Sequence, residues 1–310
     1  MEEVCKVRRR RTLKQMLLSK KGKQYTTIIV FSSIPLLLLL VFTYVPFAEM
    51  IKFSFYKMKY IGDRTFIGLD NYINVFTRSD TKGAIFNSVY YMGAGMIQLA
   101  LALYFATILS FKIKGGNFFK ATLFFPYLVC GIAIGFIFRF FYTRGMVLDS
   151  LLTALGFSAD SLPYWLKDRS INNYSIAATS IWRYMGQSMV LFIGAIQSVS
   201  PELYEASAID GATRFKQFRY IILPGIKSIL GLNILLMIKG SFSAFEGSYV
   251  ITNGTNGTAT FVVLMHQMAH EGGKVGLASA MAIVLLAIIL VGTVLQKIIY
   301  KLLFAERGKA

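Results

Sequence analysis

Hydrophobic positions in this chain neither alternate nor recur as narrow stripes. They gather into six long runs, at 26–48, 84–110, 118–141, 174–198, 226–251 and 276–304. Each run is long enough for a helix to cross a hydrocarbon layer of roughly 30 Å. Helices satisfy their own backbone groups in lipid, so the predicted fold is all-α and polytopic, with six transmembrane helices. The longest polar connection is about 35 residues, too short for an inserted globular domain. A single membrane domain over 26–304 follows, flanked by a basic tail at 1–25 and a short tail at 305–310.

The polar break at 201–224 is different in kind from the other connections. It carries Glu202, Glu205, Asp210, Arg214, Lys216 and Arg219. The helix-forming stretch 203–208 leads to Gly211, a natural stop, and Pro224 opens the next apolar run where a missing N–H does no harm. Helix, turn, helix is the predicted order. Leu203, Ala206 and Ile209 recur every three residues, so this helix should turn one face to the protein and leave the other free. A helix lying on lipid headgroups has the same periodicity.

Polar side chains also fall inside the runs. Trp182, Arg183, Tyr184 and Gln187 sit midway along the fourth, with Gln197 near its end. The fifth contains Asn233, Lys239, Ser241, Ser243, Glu246 and Tyr249. Ionisable groups at such depth face a cavity or a partner. Two readings stay open: an Arg183–Glu246 pair that staples two helices, or a polar cavity for a hydroxyl-rich solute. Pro126 should bend the third helix, Asn87-Ser88 should cap the start of the second, and Gly276, Ala278, Ser279, Ala280 and Ala282 form a small-residue packing face on the sixth.

Composition agrees with the runs: 55% of the 310 residues are hydrophobic, 15% aromatic and 15% charged, with a mean hydropathy of +0.56, against about 25% charged in soluble domains. Twenty basic residues fall on the segments that are cytoplasmic if the N-terminus is inside, and ten on the others. Both termini and the 201–224 loop are therefore expected in the cytoplasm. That bias and anionic lipid account for the net charge of +18, and nucleic acid is not an expected partner. The tail at 1–24 lacks a small-residue cleavage signal, so the first run should stay as a helix.

Cys5, in the tail, and Cys130, within a span, are not placed to form a disulfide. His266 and His270, four apart, have only Glu271 beside them; an external polar loop is predicted there rather than a metal site. Asn253-Gly254-Thr255 and Asn256-Gly257-Thr258 fit a glycosylation sequon but read better as a turn. No glycine-rich loop of the form G-x-x-x-x-G-K-[ST] occurs, nor any nucleophile–base arrangement. The chain is not expected to be an enzyme, or to bind a cofactor or metal itself.

The spacing Glu205-Ala206-Ser207, Gly211, Ile221, Leu223-Pro224 resembles the EAA loop of permease subunits of ABC-type importers, with Ser207 in place of the second alanine. Phe66-Ile67-Gly68-Leu69-Asp70-Asn71-Tyr72 and the connection 142–173, with Gly145, Gly156-Phe157 and Pro163-Tyr164-Trp165-Leu166, are similar to elements of sugar-importer permeases. Together with 184–213, 241–254 and 276–296, these stretches resemble the carbohydrate permeases related to the maltose importer's membrane subunits.

The resemblance implies that Glu205, Ala206, Ser207, Asp210, Gly211, Leu223 and Pro224 form a coupling helix and its return on a cytosolic ATPase. It also implies a solute path through Ser180, Arg183, Tyr184, Gln187, Ser241, Phe242, Phe245 and Glu246, with arginine and glutamine where the maltose importer has smaller or apolar groups. The implied partners are a second homologous permease, two copies of an ATPase that binds ATP and Mg, an external sugar-binding protein and membrane lipid. An ion-coupled secondary transporter using Arg183, Lys239 and Glu246 is the alternative, for which inverted repeats are expected but not evident. A membrane scaffold without a path leaves those charges unexplained.

Overall fold

The computed structural model describes residues 20–111 and 113–304. Expectations for Cys5, the basic residues up to Lys14, Lys112, Arg307 and Lys309 fall outside these residues. The chain divides between Phe53 and Ser54 into two compact units.

The first unit is helical throughout its described part. It comprises α1 (Lys20–Leu39), a wide π turn at Leu40–Tyr44, and α2 (Val45–Phe53). Pro46 follows the π turn by two residues. Proline has no N–H and its ring presses on the carbonyl four residues back, and a widened turn relieves both problems without breaking the helix. The N–H of Val45 accordingly bonds to the carbonyl of Leu40, five residues back.

The second unit opens with an antiparallel hairpin, β1 (Tyr56–Lys57) and β2 (Thr65–Phe66), in which Tyr56 faces Phe66. There follow α3 (Asp70–Thr77), α4 (Ser79–Leu109), α5 (Gly116–Leu128), α6 (Gly131–Tyr142), α7 (Val147–Ala154) and α8 (Asn172–Gln197). Next come α9 (Pro201–Ile209), α10 (Arg214–Gln217), a π turn at Phe218–Ile222, α11 (Leu223–Gly225), α12 (Lys227–Phe242), α13 (Glu246–Thr252), α14 (Phe261–His270) and α15 (Val275–Phe304). Pro224 sits two residues beyond its π turn, as Pro46 does. It lies inside a helical stretch rather than opening the apolar run.

Among the described residues four helices are long and apolar enough to cross a membrane, Lys23–Phe53, Ser79–Leu109, Lys227–Thr252 and Val275–Leu302. The pair α5 and α6, bent by 96°, makes a fifth if counted as one span. The remaining expected run, α8, has 26 residues but is not among these helices by length and composition. Its polar positions, Asn172, Asn173, Ser175, Thr179 and Arg183 among them, are what dilute it.

Two larger cores and a small one, Tyr91, Ile176 and Ile251, lie in the second unit. Leu99, Ala102, Ala106, Met189, Phe192, Ile196, Ile222 and Ile226 join α4 and α8 to the segment around α11. Val75, Ala84, Phe261, Leu264, Ala280, Met281 and Val284 join α3, α4, α14 and α15. The small-residue face of α15 is used here: Ala278, Ser279 and Ala280 are buried against the chain's own helices.

Several local expectations are corrected. The α4 helix begins at Ser79, so Asn87 and Ser88 do not cap it. Asn87 is buried instead and donates to the carbonyls of Gly257 and Ala259, 2.8 Å each. The bend in the third run falls at Val129–Cys130, three residues after Pro126, which stays inside α5. The fifth run is interrupted at Ser243–Phe245 between α12 and α13. Both histidines lie on the helix α14 rather than in a loop, ring centroids 4.5 Å apart. The turn at 253–258 forms as expected, with Asn253 and Asn256 at positive φ.

Candidate functional site

A cavity of about 490 Å³ opens where α4, α6, α8, α12 and α13 meet. Its wall carries seven of the eight residues expected on a solute path: Ser180, Arg183, Tyr184, Gln187, Ser241, Phe245 and Glu246. Phe242 is the exception. It packs against the core formed by Phe261, Leu264 and Ala280, because one residue along a helix turns a side chain through about 100°.

The helix breaks bring the charges together. Glu246 is the first residue of α13, immediately after the interruption, and Arg183 donates to its Oε2 from Nη1 across from α8. Gly131, the first residue of α6 after the bend, lies against the pair; a Cβ there would overlap the Glu246 carboxylate. The guanidinium also covers the Tyr184 ring at 5.0 Å, a cation–π contact. Arg183 is the more enclosed partner, its side chain 16% exposed against 43% for Glu246. The carboxylate is therefore the charge that faces the open cavity.

The remaining lining divides into committed and free polar groups. Gln98, buried on α4, donates to the Tyr184 carbonyl (3.1 Å) and the Ser188 hydroxyl (2.9 Å), locking α4 to α8. Asn233 and Ser241 bond back to the carbonyls of Ile229 and Met237. Among the described residues the Gln187 and Ser180 side chains make no hydrogen bond, so their polar atoms are available in the cavity. Phe245 stacks on Tyr249 at 4.9 Å and 16°, giving the cavity a flat ring edge. Gln98, Tyr91, Asn233 and Gly131 were not among the expected path residues. An amide beyond the midpoint of a 31-residue apolar helix was a readable signal for Gln98; nothing local marked Gly131.

The polar break forms a second, distinct surface. The nine-residue α9 ends at Asp210 and Gly211, whose φ of +72° suits glycine alone without strain. The two faces expected are present, and the packed one is formed by Tyr204 and Ser207. Tyr204 meets Phe111 edge-on at 5.7 Å, and Arg214 covers the Phe111 ring at 5.2 Å. Ser207 accepts from the amide of buried Gln217 at 3.0 Å and donates to the Tyr204 carbonyl at 2.8 Å. The hydroxyl that departs from an alanine pattern is thus a tie to α10. Leu203, Glu205, Ala206 and Ile209 all lie exposed, Ile209 at 87%. Leu223 is half-buried and Pro224 exposed at the return to α12.

Over residues 24–304 the sequence matches the family described as the binding-protein-dependent transport system inner membrane component. The chain belongs to this permease family. The permease is 32% identical over 276 residues to a probable ABC transporter permease, YurN, of Bacillus subtilis (strain 168), covering 86% of this chain and 94% of that protein. It is 32% identical over 285 residues to the arabinooligosaccharides transport system permease AraP of the same organism, covering 90% and 88%. With the diacetylchitobiose uptake permease NgcF of Streptomyces coelicolor (strain ATCC BAA-471 / A3(2) / M145) it shares 29% over 303 residues, covering 92% and 85%. Its fold matches a chain of a bacterial ABC transporter involved in import of the acidic polysaccharide alginate, with a TM-score of 0.77 at 18% identity, covering 90% and 97%. As a member of the family, this permease is a transport subunit and not an enzyme.

Proposed function

We propose that this permease forms one half of the translocation path of an ATP-driven, binding-protein-dependent importer of oligosaccharides. The observation that carries the reading is the cavity: a largely apolar wall with a self-paired Arg183–Glu246, free polar groups at Gln187 and Ser180, and rings at Tyr184 and Phe245. Carboxylate and amide groups suit sugar hydroxyls, while rings suit the apolar face of a pyranose. Relatives named for arabinooligosaccharide and diacetylchitobiose uptake point to the same solute class.

In this reading the chain spans the membrane six times with both ends in the cytoplasm, α8 crossing beside the cavity and the pair α5 and α6 acting as one broken span. The surface of α9, with Glu205 and Gly211, seats in a cytosolic ATPase, two copies of which carry ATP and Mg. A second, homologous permease supplies the other half of the path, and an extracytoplasmic sugar-binding protein delivers the solute. An ion-coupled mechanism finds less support, since Arg183 and Glu246 neutralise one another.

Complexes captured through this chain in mild detergent should bring an ATPase and a second permease. Rebuilt into liposomes with the binding protein, they should take up short neutral oligosaccharides only when ATP is present. Uptake that follows a proton or sodium gradient without ATP would contradict the proposal.

A further inference from the structure

We infer that the second permease presents a carboxylate to Lys239 within the membrane; this rests on the two-permease reading above. Lys239 lies in the middle of the apolar segment Lys227–Thr252, twelve residues from its start and thirteen from its end. At 1.5 Å per residue the helix leading to it is about 18 Å long, beyond the reach of a lysine side chain snorkelling back to that surface.

The exposure of α12 shows which way this lysine faces. Asn233 and Ser241 are buried, whereas Leu232, Leu236, Lys239 and Gly240 are exposed. Those four recur at i, i+4, i+7 and i+8, one stripe of the helix. Leu236 and Gly240 also line the cavity, so the stripe runs along its open rim. Lys239 is therefore turned toward the side on which the path is incomplete in this chain.

Among the described residues Lys239 has no ion pair or hydrogen bond, and Glu246 is engaged by Arg183. An ammonium group at this depth persists where an opposite charge or water meets it. Headgroup phosphates lie at the membrane surface and do not reach it. A solute carboxylate is the poorer counter-charge, because the exposed charge in the cavity is itself the Glu246 carboxylate. A fixed acidic side chain on the facing subunit satisfies the lysine and also sets which chain can pair, since a like charge there would repel.

The test uses the intact complex in mild detergent. A membrane-permeant carbodiimide activates carboxyl groups in apolar surroundings, and an adjacent amine then displaces the activating group to form an amide. The expected product joins the two permeases, with the cross-link mapped by mass spectrometry to Lys239. Lys239→Arg should keep the second permease but lose the cross-link, because a guanidinium is a poor nucleophile. Lys239→Glu should lower recovery of the second permease at least tenfold. The inference is overturned if the second permease is retained but no cross-link maps to Lys239 and Lys239→Glu assembles in normal yield. If the unmodified complex holds no second permease at all, the two-permease reading fails, and this inference fails with it.

Discussion

Two glutamines on the same cavity wall illustrate how burial and pairing divide function from architecture. Gln98 is buried and its amide is committed to Tyr184 and Ser188, so Gln98→Ala removes a tie between helices and should cost about 1–3 kcal/mol of stability. Gln187 is half-buried with no partner in the chain among the described residues. Gln187→Ala should leave thermal unfolding and subunit retention unchanged and reduce uptake at limiting sugar by roughly tenfold, the equivalent of one hydrogen bond of about 1.4 kcal/mol. Thermal melts and initial uptake rates on the two variants separate these outcomes; equal losses of stability in both would contradict the assignment. Arg183 and Glu246 were legible in the sequence because charge within an apolar run is costly wherever the fold places it. Phe242 was not, because aromatic rings suit a core and a cavity equally and only the packing decides.

Of the six helices expected to cross, four among the described residues have the length and composition of a span, five with the bent pair, and the breaks within the runs were less legible still. Proline marks a local loss of one hydrogen bond, which predicted the bend at Pro126; the chain turns instead at Val129–Cys130, where α6 must pack Gly131 against the ion pair. The spacing of Leu203, Ala206 and Ile209 predicted two faces on α9 without assigning them; Tyr204 and Ser207 form the packed one, leaving Leu203 and Ile209 outward. Periodicity identifies a stripe without saying what covers it. Ser207→Ala should strand the buried Gln217 amide and cost about 1 kcal/mol, seen as faster hydrogen exchange across 204–217; unchanged exchange would remove the tie.

The connection around α7 has its own anchor. Burial pushes the Asp149 carboxyl up, but hydrogen bonds from the Gly145 N–H and the Trp165 indole, both 2.7 Å, and the nearby Arg144 together hold it below the usual carboxylate range. A carboxyl lowered on folding stabilises this segment fully above the unfolded value near about pH 4, and loses that contribution as pH falls through the folded value. Trp165 fluorescence, followed in a Trp182→Phe background, should therefore be steady near neutrality and change only in acid. In Asp149→Asn that acid step should be absent. A transition near neutral pH would show that another group controls the segment.

Across the whole molecule, the two surfaces are parts of one packed body. Tyr204 on α9 packs against the core that joins Leu99 and Ala106 of α4, Phe192 and Ile196 of α8, and Ile222 and Ile226 at the return. The same α4 and α8 line the cavity further along, with α12 following directly from the return. The α9 surface and the cavity wall thus share α4, α8 and the core between them. The family was legible from the spacing around Glu205 and Gly211, since it records a helix, a left-handed stop and a return. The full cavity wall was not, since Tyr91, Gln98 and Gly131 join it only once the helices pack.

ATP-driven uptake through the complex carrying Glu205→Lys together with Gly211→Val tests the central claim most directly. If α9 seats on the ATPase as proposed, with Glu205 facing a basic group there, lysine at this exposed position sets like charges against each other, a cost that reaches several kcal/mol. Valine at a φ of +72° distorts the stop that shapes the surface. The account predicts that uptake is abolished and the ATPase is lost on purification, while the binding protein still captures sugar. Normal ATPase retention with uptake at the unaltered rate would contradict it.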